Sequence, residues 1–218
     1  QDGFMTVDML RGVVVFDKDF REVSLIELQA NCEPHGLFHQ IGSNWVAVGQ
    51  PGRDSIGFYD LSSSLLQNEI FISNKWSRNH CDNHHINDLM VVDNSIFVSM
   101  FSLSGNWMNE IYDGGVLEIE LASGAIVGPV IQNLWMPHSV CRFNGKLTIL
   151  DSMRGTLVTQ NWRSIGGYSS FARGLDYDGQ NFYIGLSQHR HPDSLIDSRS
   201  VIGLDTGVAI FEPESKLS

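Results

Sequence analysis

The chain reads as an all-β protein, a β-propeller of about five blades whose first blade is incomplete. Three observations lead there. Short apolar runs of strand length follow one another along the 218 residues, with turn residues between them. Glycines 12, 57, 115, 155 and 207 each lead such a run and lie 40 to 58 residues apart, which is propeller-blade spacing. The composition agrees, because 21 Gly against 6 Pro with only 18% charged residues suits turn-rich β structure better than a helical bundle.

In order, Phe4–Val7 and Gly12–Asp17 read as two strands joined by a brief turn, and Val23–Leu28 alternates as a third. The pattern restarts with Gly36–Gln40, Trp45–Val48, a turn at Pro51-Gly52-Arg53-Asp54, and Gly57–Leu61. It runs again through Ile86–Val92, Ile96–Ser99, an insertion ending near Trp107, and Gly115–Ile119. Ser139–Phe143, Leu147–Leu150 and Gly155–Val158 form the next unit; Gly174–Tyr177, Phe182–Gly185, a long loop and Gly207–Phe211 form the last. Asn144-Gly145 and Asp178-Gly179 read as two-residue hairpin turns with both central φ angles positive. Helix is expected to be nearly absent. Only eleven residues precede Gly12, so the first unit lacks an inner strand. The reading is one domain over residues 1–218, closed by another segment or belonging to a longer chain.

Charge and cysteine usage narrow the partners. A net charge of −11 repels phosphate backbones, so nucleic acid is not expected as a partner. No apolar run reaches the length of a membrane span, so no membrane partner is expected either. Cys32, Cys81 and Cys141 are odd in number and widely spaced, which fits buried small hydrophobes in a reducing, cytoplasmic setting. The chain starts at Gln1, so a missing leader carries no weight.

The chemistry concentrates in residues 79–88, where His80, His84 and His85 stand among Asp82, Asn83, Asn87 and Asp88 just before an apolar strand. Weaker versions of the same arrangement precede other inner strands: Glu33-Pro34-His35, Met136-Pro137-His138 and Phe171-Ala172-Arg173. In a propeller the inner strands line one channel, so matching registers would bring His35, His85, His138 and Arg173 to equivalent places around one funnel. Three imidazoles can hold a divalent transition metal, with His35, His85 and His138 as ligands. Alternatively His85 and His138 form an acid/base pair, with Arg173 fixing a carboxylate or phosphate. The reading is an enzyme, a lyase or hydrolase working on a small anionic molecule. The alternative is a non-catalytic module binding a ligand or an acidic peptide in the same funnel.

Asn87, Asp88, His189 and Arg190 are the expected substrate-binding residues, the last two opening a loop that would cover the same channel end. His80 and His84 are expected to be exposed, and Asp82 and Asn83 solvated. The five tryptophans, 45, 76, 107, 135 and 162, are expected to pack between blades. The chain has neither a phosphate loop nor a nucleophile elbow.

Taken together, His85-Ile86-Asn87, Met136-Pro137-His138-Ser139, Arg173-Gly174-Leu175 and Gly185-Leu186-Ser187-Gln188-His189-Arg190 resemble a family of bacterial conserved-hypothetical proteins. That family carries H-[LI]-N, M-P-H-S, R-G-L and G-L-S-x-x-R in this order. The resemblance implies a propeller-like fold and marks His85, Asn87, His138, Arg173 and Arg190, without implying a reaction. The chain is shorter than the family resemblance implies. It is also distantly similar to metal-centred propeller lactonases and lyases, without the acidic ligand set of the calcium-dependent hydrolases among propellers.

Overall fold

The structure is a computed structural model that describes residues 3–188 and 206–215. It is a five-bladed β-propeller in which every sheet is antiparallel and pairs strands consecutive in sequence. The first blade holds β1 (Gly3–Asp8), β2 (Gly12–Asp17) and β3 (Glu22–Ile26). The second holds β4 (Leu37–His39), β5 (Trp45–Gln50), β6 (Ser55–Asp60) and β7 (Leu66–Phe71). The third holds β8 (Ile86–Val92), β9 (Ser95–Met100), β10 (Gly114–Glu120) and β11 (Ile126–Leu134). The fourth holds β12 (Pro137–Phe143), β13 (Lys146–Asp151), β14 (Thr156–Thr159) and β15 (Ser164–Gly167). The fifth holds β16 (Phe171–Tyr177), β17 (Phe182–Ser187) and β18 (Gly207–Phe211). Among the described residues the α-helix is a single turn, α1 (Trp76–Asn79).

The first blade has the predicted gap. Gly12 opens β2 as Gly57 and Gly115 lie early in the third strands of their blades, so β1 takes the second place, and among the described residues no inner strand precedes it. The outer strands β7, β11 and β15 are absent from the sequence reading for a physical reason. Their side chains are largely polar or half-exposed, so no clean alternation marks them. β11 also carries Gly128 at φ +147°, Pro129 and three register shifts, which blunt it as an edge. Asn144 and Gly145 both have positive φ as expected. At Asp178-Gly179 only the glycine does; Asp178 instead caps the turn with its carboxylate, accepting the amides of Gln180 and Asn181.

The apolar core lies between blades. Val13 and Ile26 of the first blade pack on Val46, Val48 and Tyr59 of the second. Ala47, Ile56 and Phe58 meet Ile86, Leu89 and Val98 of the third, whose Val116 and Ile131 meet Val140 and Ile149 of the fourth. Leu150 and Leu157 then meet Ala172, Phe182 and Ile184 of the fifth. This packing draws the inner strands β4, β8, β12 and β16 side by side around the channel.

The approach of β4 to β8 leaves no room for a side chain at Gly36. Its amide donates to Asn87 O at 2.8 Å, and a Cβ there would stand 2.5 Å from Asp88 Cα and 2.8 Å from Asn87 O. Backbone cannot yield as a flexible side chain can. Gly36→Ala should therefore cost about 1–3 kcal/mol of stability in urea unfolding. An unchanged midpoint would show that the two strands can part freely.

Candidate functional site

The loop before β8 is held from the neighbouring blade. Asp54, fully buried and at φ +48° after the turn at Pro51–Arg53, accepts the amide of Asn83 (3.0 Å), its Nδ2 (2.6 Å) and the amide of His84 (2.8 Å). His84 is buried rather than exposed; Nδ1 lies 2.9 Å from Ser102 O and Nε2 2.9 Å from Ser73 Oγ. Burial lowers its pKa. Asn83 is buried as well, so its expected solvation is corrected by the same anchor. A buried carboxylate needs several donors, and here the next blade's loop supplies them.

That anchor presents His85. Asp82, expected to be solvated, accepts the His85 amide at 2.8 Å and Nδ1–H at 2.5 Å, leaving Nε2 as the outward atom. His85 itself has φ +52°, a conformation uncommon for a side-chain-bearing residue. The Trp107 indole donates to Asp82 O (2.9 Å), and its ring lies 4.5 Å from that of His85. Trp107 thus belongs to the mouth of the channel, not to packing between blades alone.

From His85 the rings continue around the mouth. His35 is 5.0 Å away and Phe101 4.3 Å; Phe101 is 5.3 Å from His138, which is 5.2 Å from Phe171. The Arg173 guanidinium lies 4.9 Å over Phe171. Phe101, Met136, Met153 and Phe171 form the apolar bed beneath. Burial there pushes His138 down to about 3, helped by Arg173 and the other two imidazoles; burial and the charges of His85 and Arg173 also lower His35. Burial thus favours the neutral imidazole of His138 at neutral pH.

The four residues come together, but not from equivalent places. The inner strands carry bulges at Asn87 in β8, at Ser139 in β12 and at Arg173-Gly174 in β16. Arg173 thus matches Asn87 and Ser139, while His138 pairs with Leu150 inside its strand and His85 precedes β8. Bulges re-aim side chains and increase local twist, and here they also knit the strands. Gly174 N–H donates to Ser139 Oγ at 3.1 Å, and Leu89 N–H donates to the Asp88 carboxylate at 2.9 Å. Asn87 Nδ2 donates to His85 O and to Pro137 O, while its buried Oδ1 has no partner among the described residues.

His189 and Arg190, with the loop expected to cover the channel, lie outside the described residues. The metal expectation finds no preformed geometry, because no three His, Cys, Asp or Glu side chains among the described residues stand close enough to share an ion. Cys81 is exposed, against the expectation for all three cysteines, whereas Cys32 is buried. The sequence reading missed Phe101 and Phe171 as ring neighbours and Asp82 as the partner of His85. The three-residue step from Asp82 to His85 was the available signal.

Asp88 has a pH signature. Burial raises its carboxyl from 3.8 to about 6. A raised folded pKa means that stability increases as pH falls through about 6 toward 4, and that ionisation above 6 costs stability. The sign for His138 is opposite, with stability lost as pH falls from 6.5 toward 3. Relative to the parent, Asp88→Asn should gain about 1–3 kcal/mol at pH 8 over its value at pH 5 in urea unfolding. Parallel pH profiles for the two proteins would mean that Asp88 does not titrate in this window.

Comparison with solved structures finds the same architecture. A protein of unknown function from Bacteroides caccae is 16% identical, with a TM-score of 0.66 over 99% of this chain and 76% of that one. A luciferin-regenerating enzyme is 12% identical, with a TM-score of 0.63 over 86% of this chain and 66% of that one. The computationally designed Ika8 protein is 13% identical, with a TM-score of 0.55; all of this chain is covered, but it spans only 57% of the designed chain. Likeness at such identities shows the fold alone. No curated protein matches the chain. Among the described residues no helix is long and apolar enough to cross a membrane. The family described as Domain of unknown function (DUF4915) matches residues 65–210, more than half of the sequence and the part carrying His85, His138 and Arg173, and the chain belongs to that family.

Proposed function

We propose that the chain is an enzyme, a lyase or hydrolase, that holds a small anionic substrate at the channel mouth and uses His85 as general base. The observation that carries this is the Asp82–His85 pair, 2.5 Å apart, set in an aromatic cup beside two further imidazoles and a guanidinium. Asp82 fixes the ring by accepting both its Nδ1–H and its amide, so Nε2 is the atom left to take a proton. In hydrolysis Nε2 takes a proton from a bound water as its oxygen attacks the carbonyl carbon, and returns that proton to the alcohol oxygen as the acyl C–O bond breaks. In elimination it takes the proton from the carbon beside the carboxylate, the C–H electrons form the double bond, and the β-substituent leaves with the proton that Nε2 returns. Arg173 supplies the fixed positive charge that holds the anionic group. His35 and His138 act as neutral polar walls, and the apolar bed of Phe101 and Phe171 limits water around the reacting atoms. The luciferin-regenerating enzyme shares the fold and shows that such a propeller can carry an enzyme. This acid–base reading needs no ion shared between the imidazoles.

The test is a panel of lactones, esters and hydroxy acids followed by NMR for loss of substrate. On any compound turned over, Asp82→Asn should lower kcat by about 10²–10⁴-fold with KM little changed. Arg173→Gln should act chiefly on KM. An Asp82→Asn protein as fast as the parent sinks the base assignment. Carboxylate binding that needs Arg173, with no compound consumed, would make the funnel a non-catalytic binding module.

A further inference from the structure

The mouth carries an unusual bias in hydrogen bonding. Two of its histidines are set by the same three-residue device. In Glu33-Pro34-His35 and Met136-Pro137-His138 the residue before proline has positive φ, +46° and +49°, where that position ordinarily stays extended. The unusual turn brings each imidazole Nδ1 back onto the carbonyl two residues earlier, at 2.9 Å from Glu33 O and 3.0 Å from Met136 O. A carbonyl only accepts, so the ring proton sits on Nδ1 and Nε2 is a lone pair. Asp82 imposes the same choice on His85. None of the three Nε2 atoms has a hydrogen-bond partner among the described residues.

Three donors near the mouth are already committed, whereas the buried Trp135 indole N–H and Ser170 hydroxyl have no hydrogen-bond partner among the described residues. The Trp107 indole bonds Asp82 O, Ser152 Oγ bonds Ala172 O, and Asn87 Nδ2 bonds His85 O and Pro137 O. Asn87 Oδ1 adds another unpartnered acceptor, buried beneath. Against this set of acceptors stands the Arg173 guanidinium, a donor with no accepting capacity.

Resting on the reading of an anion site, we infer that the ligand is a hydroxylated carboxylate, its hydroxyls donating to the imidazole Nε2 atoms and its carboxylate accepting from Arg173. A carboxylate without hydroxyls offers only acceptors where the imidazoles need donors, and inorganic phosphate near neutral pH keeps too few P–OH groups to meet all three rings. An ammonium group would donate, but the fixed charge of Arg173, which already disfavours protonation of His35 and His138, opposes a second cation there. Each hydroxyl pairs with a lone pair that is otherwise unmatched, and a site built to bond a hydroxyl discriminates strongly against an analogue lacking it.

Tartrate and succinate make the matched probe pair, with the same two carboxylates and a difference of two hydroxyls. By titration calorimetry at pH 7.5, one tartrate enantiomer should bind at least about tenfold more tightly than succinate or inorganic phosphate. Long-range proton–nitrogen correlation spectra of the histidine rings should show His35 and His138 protonated on Nδ1. Equal affinity for tartrate and succinate, tighter binding of phosphate, no tartrate binding, or an Nε2-protonated ring at either position would overturn the inference. The anion-site reading fails separately, when Arg173→Gln leaves carboxylate binding and turnover unchanged.

Discussion

The Asp54 carboxylate sits inside protein with no access to solvent, and its oxygens must be met by donors or carry a heavy desolvation cost. Those donors are the amides of Asn83 and His84 and the side chain of Asn83, all from the loop of the next blade. The loop before β8 has little alternative to its observed path. One residue further on, that path gives His85 its positive φ and puts Asp82 against Nδ1. The position of His85 is therefore a by-product of satisfying a carboxyl group buried one blade away.

A second layer of constraint comes from crowding at the axis. Inner strands this close cannot all run as regular ladders, and the strain is taken up in bulges at Asn87, Ser139 and Gly174. The polar groups freed there are used across strands, with Ser139 Oγ accepting Gly174 N–H and Asn87 Nδ2 donating to Pro137 O. Asp88 is raised toward neutrality by the same confinement that brings Gly36 against its backbone. Side chains at bulges are aimed by local geometry rather than by alternation. Arg173 consequently reaches the mouth from a register that the histidines do not share.

Much of the fold was legible because its signals are local. Leading glycines, the Asn144-Gly145 turn and the apolar second and third strands each announce themselves within a few residues. The outer strands were not legible, since β7, with Gln67, Asn68 and Glu69, is nearly indistinguishable from a loop until a neighbour pairs with it. At the site, His35, His85, His138 and Arg173 could be named because repeat spacing links positions far apart. The residues that decide their chemistry could not. Phe101 and Trp107 come from the far end of β9 and the segment beyond it, and burial of His84 depends on Ser73 and Ser102, which no spacing connects to it.

The pairing of strands consecutive in the chain has a kinetic consequence. The first, second and fourth blades close only short loops as they form, so those sheets can arise early and nearly independently, whereas the third and fifth must also close the longer connections from β9 to β10 and from β17 to β18. The mouth has no such local route. His35, His85, His138 and Arg173 meet only after blades two to five have docked, and Asp54 holds the loop of blade three only once blade two is packed beside it. A partly assembled chain therefore has well-formed sheets without this cluster, so whatever the proposed site binds or turns over should be handled only after the last step of folding.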